Sequence, residues 1–178
     1  MEVILTGTGS PLPDANRAGP STLVKANDIH ILVDAGRGVV MRMAGADTLP
    51  LFLRAVLITH LHSDHICDLN DVITTHWIMS QGNAPLAIYG PPGIKEFVAR
   101  QLHALEADIG YRIEHHDALT HGPKVDVIEL APGESFELDD VFVSTAATVQ
   151  PYNHQVRPVH LCPQKRVELY SSGQPPRH

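Results

Sequence analysis

An almost wholly apolar run, Ala55-Val56-Leu57-Ile58-Thr59, passes without a break into His60-Leu61-His62-Ser63-Asp64-His65. A strand with so little alternation is of the kind buried on both faces in an α/β fold, so the histidines emerge where a core strand stops. Side chains two apart in an extended segment point the same way, which turns His60 and His62 toward one point just past the strand end. Asp64 and His65 follow at the turn into the next helix and add a carboxylate oxygen and a further imidazole nitrogen. This donor mixture suits zinc, with iron or manganese the alternatives, and four such residues are enough to begin two adjacent sites.

The flanking sequence places that run in an α/β body. Glu2-Val3-Ile4-Leu5 reads as a strand ended by Gly7-Thr8-Gly9-Ser10-Pro11. The glycine pair lacks the third glycine and the immediate helix of a dinucleotide loop, and Pro11 and Pro13 disfavour one. Ser21 to Lys25 and Ile29 to Val33 predict two strands around the turn residues Ala26-Asn27-Asp28, the second ending at Asp34-Ala35-Gly36. Helical spacing is expected over Gly38 to Ala46, Asp68 to Met79 and Ile94 to about Glu106, the last entered through Gly90-Pro91-Pro92-Gly93. Further strands are expected at Leu86 to Tyr89, Tyr111 to His115, Lys124 to Leu130, Ser135 to Leu138 and Val141 to Thr145. From about residue 150 the texture changes to five prolines and four Lys or Arg against the single acid Glu168, which reads as an irregular tail over 150–178 after a domain over 1–149.

Bulk properties narrow the function. At 178 residues and 43% apolar content the chain is long enough to bury a core, and its formal charge of −7 argues against nucleic-acid binding by global attraction, leaving only local contacts. Two cysteines, Cys67 and Cys162, make no disulfide framework, and no apolar stretch approaches the roughly 20 residues that cross a bilayer, so a soluble, reducing, cytoplasmic setting without membrane contact is expected. Twelve histidines are many, and imidazole is the commonest side-chain ligand for transition metals. No Gly-x-Ser-x-Gly elbow, catalytic-cysteine signature or phosphate-binding loop offers different machinery.

The run at 60–65 resembles the His-x-His-x-Asp-His signature of the metallo-β-lactamase superfamily. Thr6-Gly7-Thr8-Gly9-Ser10, Leu32-Val33-Asp34-Ala35-Gly36 and Ile88-Tyr89-Gly90-Pro91 extend the resemblance, over residues 1 to about 154, to the branch of ribonuclease Z and the arylsulfatase-type hydrolases. The resemblance implies an αββα sandwich, of which this chain would carry the N-terminal half to two-thirds. It further implies that His60 and His62 hold a first zinc and that Asp64 and His65 hold a second, Asp64 also orienting the attacking water. Asp34 would hydrogen-bond a ligand or loop group from behind, and His154, after the strand Val141 to Thr145, would be the next ligand of the first zinc.

Phosphodiester hydrolysis, with precursor transfer RNA as substrate, is the activity the resemblance implies; sulfate esters or other small esters, and metal binding without turnover, are the alternatives. Arg17, in the loop after the first strand, is the candidate contact for a phosphate or sulfate group. Beyond His154 there is no strand ending in the aspartate that would bridge two zincs. The expectation is therefore a truncated form that binds about one zinc or less, self-associates as a homo-oligomer and turns over poorly.

Overall fold

A computed structural model describes residues 1–146 in full and, beyond them, the backbone of three short strands. The chain divides into two units, Met1–Leu130 and Ala131–His178. In the first, strands β1 (Glu2–Gly7), β2 (Ser21–Ala26), β3 (Ile29–Val33), β4 (Leu53–Leu57), β5 (Leu86–Gly90) and β6 (Val125–Glu129) form one sheet in sequence order. β1 to β3 are an antiparallel meander whose second turn puts Asn27 at φ 54, the left-handed region that asparagine tolerates. From β3 to β6 the pairing is parallel, so each step needs a crossover: α1 (Val39–Ala44) between β3 and β4, α2 (Ser63–Ile66) and α3 (Leu69–Met79) between β4 and β5, α4 (Ile94–Ala104) and α5 (Glu106–His115) between β5 and β6.

Period-2 alternation decides what the helices cover. Leu23, Leu32, Val56 and Ile88 share one face of the sheet and are 0% exposed, packed with Val39 and Met43 of α1, Leu69, Val72 and Ile73 of α3, and Ile94 and Val98 of α4. Each such side chain contributes roughly 1.5–3 kcal/mol by leaving water. Val24, Ile31, Ala55 and Leu57, on the other face, are buried as well, as the unalternating β4 sequence requires. His76 on α3 is a satisfied core histidine, its Nδ1 at 2.8 Å from the Pro50 carbonyl oxygen and its Nε2 at 3.3 Å from that of Ala84.

Two expectations are corrected. Tyr111 to His115 is not a strand but the last half of α5, and the helix from Ile94 ends at Ala104 instead of Glu106. The acids Glu106 and Asp108 lie in the first turn of α5 and Arg112 and His115 in its last, which complements the helix dipole, and Arg112 Nε donates to Asp108 Oδ2 at 2.9 Å across one turn. In the second unit, β7 (Ser135–Leu138) and β8 (Val141–Thr145) form the expected hairpin. Two further strand pairs occur: β9 (Thr148–Val149) with β10 (Gln155–Val156), and β11 (Val159–Pro163) antiparallel to β8 in the register Val159↔Thr145 to Pro163↔Val141. Regular structure thus extends into the segment read as irregular, with Pro163 at the end of an edge strand, where its missing N–H costs no ladder bond.

One close approach fixes the loop after β3. A Cβ on Gly36 would lie 2.5 Å from the Gly19 carbonyl carbon and 2.6 Å from both the Asp64 carbonyl oxygen and the Pro20 nitrogen, all backbone atoms that cannot swing aside. Gly36→Ala is expected to cost about 1–3 kcal/mol by overpacking, read as a melting temperature lower by several degrees. An unchanged melting temperature would show that this junction yields.

Candidate metal centre

The parallel pairing of β3 with β4 matches Val33 to Leu57, so the residues after each strand end emerge side by side at the carboxyl edge of the sheet, where open α/β sheets place their sites. Asp34 leaves β3 at φ 61, a left-handed conformation in which aspartate is among the few tolerated residues, and its N–H donates to the Leu57 carbonyl at 2.8 Å. The turn aims the buried carboxylate across the strand ends. Asp34 Oδ1 accepts the Thr59 N–H at 2.8 Å, the Thr59 hydroxyl lies 2.9 Å from both carboxylate oxygens, and Asp34 Oδ2 is 2.7 Å from His65 Nδ1.

These contacts set the tautomers. Acceptor-only Asp34 takes the Nδ1–H of His65, which leaves His65 Nε2 as the free nitrogen. The Thr59 hydroxyl, whose one proton goes to Asp34, accepts the Nδ1–H of His60 at 2.9 Å, so His60 also presents Nε2. His60 Nε2 faces His62 Nδ1 at 3.1 Å, and the His60 and His65 ring centroids are 4.0 Å apart. Two nitrogens bound to one tetrahedral zinc at about 2.0–2.1 Å stand about 3.3 Å from each other. The His60–His62 pair is therefore within a few tenths of an ångström of a chelating separation. Asp64 Oδ2 lies 3.8 Å from His65 Nε2, a wider pairing of an oxygen with a nitrogen.

The electrostatics follow from burial and from Asp34. Burial first, and then the His65 charge, lower His60 to a pKa of about 4, so at neutral pH its ring is uncharged, the ligating form. At His65 burial pulls the other way from its neighbours, but the hydrogen bond and charge of Asp34, with the charge of Asp64, prevail and hold its pKa above the ordinary value. The Cys67 thiol is pushed up by burial and by Asp68, which keeps it protonated and a poor ligand at neutral pH.

His60, His62, Asp64, His65 and Asp34 thus lie together at the ends of β3 and β4. Among the described residues no three histidine, cysteine, aspartate or glutamate side chains are disposed, as they stand, to hold one metal ion. The site consists of donor pairs, and the expected further ligand, His154, lies outside the described residues. Arg17 lies in the loop before β2, with Nε at 3.6 Å from Asp14 Oδ2. Two contributors escaped the sequence reading. Thr59 links Asp34 to His60, and its hydroxyl directly before the first histidine was the available signal. Asp68 braces the site from below: its Oδ2 accepts the Gly38 N–H at 2.6 Å and its own N–H donates to the Ala35 carbonyl at 3.0 Å, while the Ala35 N–H donates to the His65 carbonyl at 2.7 Å.

A family model described as Beta-lactamase superfamily domain matches residues 30–167. A ribonuclease Z of Mycobacterium sp. (strain KMS) is 52% identical over 149 residues, covering 83% of this chain and 52% of that protein. The ribonuclease Z of Mycolicibacterium paratuberculosis (strain ATCC BAA-968 / K-10) is 52% identical over 150 residues, covering 83% of this chain and 54% of its own length. The chain spans about half the length of these curated relatives. Among solved structures, the short form of human tRNase Z superposes with a TM-score of 0.73 at 21% identity, over 93% of this chain and 66% of that one. A metallo-β-lactamase fold protein from Bacillus subtilis gives 0.66 at 22% identity, over 91% and 57%. At such identities these two likenesses speak for the fold. Among the described residues no helix is long and apolar enough to cross a membrane.

Proposed function

The chain belongs to the β-lactamase superfamily domain family, and on that premise we propose that it is a metal-dependent phosphodiester hydrolase of the ribonuclease Z type, acting on precursor transfer RNA. The observation that carries the reading is the pair His60 Nε2 and His62 Nδ1 at 3.1 Å, in which His60 is oriented by a chain of hydrogen bonds from Asp34 through Thr59. Family membership implies a divalent metal. The imidazole-rich donor set with one carboxylate favours zinc. When bound, the metal supplies positive charge that activates water as a nucleophile near neutral pH and offsets charge on the phosphate.

The chain's own residues do the rest. His60 and His62 hold the first ion, with His154 the candidate third ligand, and His65 and Asp64 begin the second site. Asp64, buried beside His65, orients the attacking water by accepting a hydrogen bond from it. Asp34 fixes His65 so that Nε2 faces the site. The ribonuclease Z names of relatives about half identical to this chain support an RNA phosphodiester as the bond cleaved.

The test is a panel of bis-(p-nitrophenyl) phosphate, p-nitrophenyl sulfate and a precursor transfer RNA transcript, each with added zinc and with chelator. Phosphodiester cleavage that zinc restores after chelation is the expected result. A preference for the sulfate would assign the arylsulfatase-type activity instead, and tight zinc retention with no turnover of any substrate would make this a metal-binding protein without catalysis.

A further inference from the structure

Three arginines of the first unit, Arg17, Arg37 and Arg42, line one open cavity of about 430 Å³ beside Pro13, Ala18 and Met41. That volume lies toward the small end of ligand clefts, about 300–1,000 Å³. In a chain of formal charge −7, three like charges around one cleft would repel unless something shared them. The one acid of the lining, Asp14, is already engaged: Oδ1 accepts the Asn16 N–H at 2.9 Å and Oδ2 stands 3.6 Å from Arg17 Nε. Arg42 Nη2 reaches only the Asn16 carbonyl, at 3.4 Å. Among the described residues no carboxylate pairs with the guanidinium of Arg37 or Arg42, both exposed, so most of their N–H donors face the cleft or water.

The cleft is also built on a braced frame. The Gly9 N–H donates to the Ala18 carbonyl at 2.7 Å and the Gly19 N–H to the Arg37 carbonyl at 2.8 Å, which lays the Arg17 loop against the segment that carries Arg37. The neighbouring Gly38 N–H is fixed on Asp68 at 2.6 Å, and Gly36 abuts the carbonyl of Asp64. The backbone that carries Arg37 is thereby tied to the backbone of the metal motif. Guanidinium forks match phosphate oxygens in pairs, and exposed Met41 offers an apolar surface for the attached sugar or base.

The geometry points to a phosphate subsite: Arg37 and Arg42, with Arg17, hold a backbone phosphate of the RNA strand away from the bond that is cut. This assignment rests on the RNA phosphodiesterase reading, and the test separates the two. Binding of the zinc-loaded full chain to a fluorescent precursor transfer RNA, carrying phosphorothioates in its 3′ trailer to slow cleavage, is measured by anisotropy at several salt concentrations. The Arg37→Ala/Arg42→Ala protein should bind on the order of tenfold more weakly, with a salt slope shallower by about 1 per lost contact, so about 2. Arg100→Ala removes an exposed positive charge on α4, where it pairs with Glu96 at 2.7 Å, and should change neither. Hydrolysis of bis-(p-nitrophenyl) phosphate, which has no flanking phosphate, should be equal in all three proteins. The subsite is overturned if the parent does not bind the RNA, if the double variant binds like the parent, if Arg100→Ala weakens binding as much as the double variant does, or if small-substrate hydrolysis falls in step with binding. Tight, arginine-dependent RNA binding with no hydrolysis by the parent would instead refute the hydrolase reading and leave the subsite standing.

Discussion

Replacing His60 and His62 together with alanine is expected to weaken zinc binding by more than the roughly 10- to 100-fold typical of losing a supporting partner alone, and to abolish any zinc-dependent hydrolysis. The argument is one of separation and charge. The two nitrogens stand 3.1 Å apart against about 3.3 Å for two ligands of one tetrahedral zinc, and a metal takes both once the proton that His62 Nδ1 donates to His60 Nε2 is displaced and the rings turn toward the ion. With its pKa lowered to about 4, His60 keeps at neutral pH only the proton on Nδ1 and leaves Nε2 bare for a metal. His65 behaves oppositely. Its raised pKa means that a proton competes for its ring, so zinc affinity of the parent should fall as pH drops through that value, well before His60 begins to protonate near pH 4. Chelator competition between parent and double variant, with circular dichroism to confirm that both are folded, reads the effect. Equal zinc affinity in the two proteins would remove His60 and His62 from the ligand set.

Where the fold was legible in the sequence, short-range pattern had a single physical reading. The unalternating run before His60 has to be buried on both faces, and β4 is. The nearness of Asp34 to the motif was an implication of the family resemblance; in the structure it comes from parallel β3 and β4, which pair Val33 with Leu57. Tyr111 to His115 misled because apolar residues at 111 and 113 satisfy a period of two over so short a window, and α5 buries no residue fully, so no wide apolar stripe marked it as a helix. Its signals were the Asp108–Arg112 spacing and the acid-first, base-last order. β11 was obscured by prolines, which an edge strand accommodates at its end. Within the site, residue types and spacing gave the candidate donors. The tautomers were not legible, because they depend on which nitrogen of His60 and of His65 meets Thr59 and Asp34, a matter of side-chain direction and not of order along the chain. Asp68 escaped for the same reason: nothing in its neighbours says that its carboxylate reaches back thirty residues to Gly38.

Asp34→Asn is expected to weaken zinc binding by roughly 10- to 100-fold and to lower hydrolysis by a similar factor, with the fold retained. Asparagine is the informative replacement because it keeps the shape and tolerates the left-handed φ of 61, whereas alanine would add backbone strain to the loss of contacts. Its amide oxygen can still accept one of the bonds now made to Thr59 or His65, but the second oxygen becomes a donor. In the Oδ1 position that NH₂ would meet the Thr59 N–H, and in the Oδ2 position the Nδ1–H of His65, so either orientation sets two donors against each other. The neutral amide also removes the charge that, with the hydrogen bond, raises His65 above its ordinary pKa. Burial then acts with less opposition, so the pKa of His65 should fall in the metal-free variant. Basicity toward a proton and toward a metal drop together, which distinguishes a positioning role from a turn cap: a cap would change melting temperature and leave both the His65 titration and the zinc affinity where they were. Following the imidazole resonances of the metal-free protein with pH, beside chelator competition for zinc, separates the outcomes. An unshifted His65 titration with unchanged zinc affinity in a folded Asp34→Asn protein would reduce Asp34 to a residue that only closes the loop after β3.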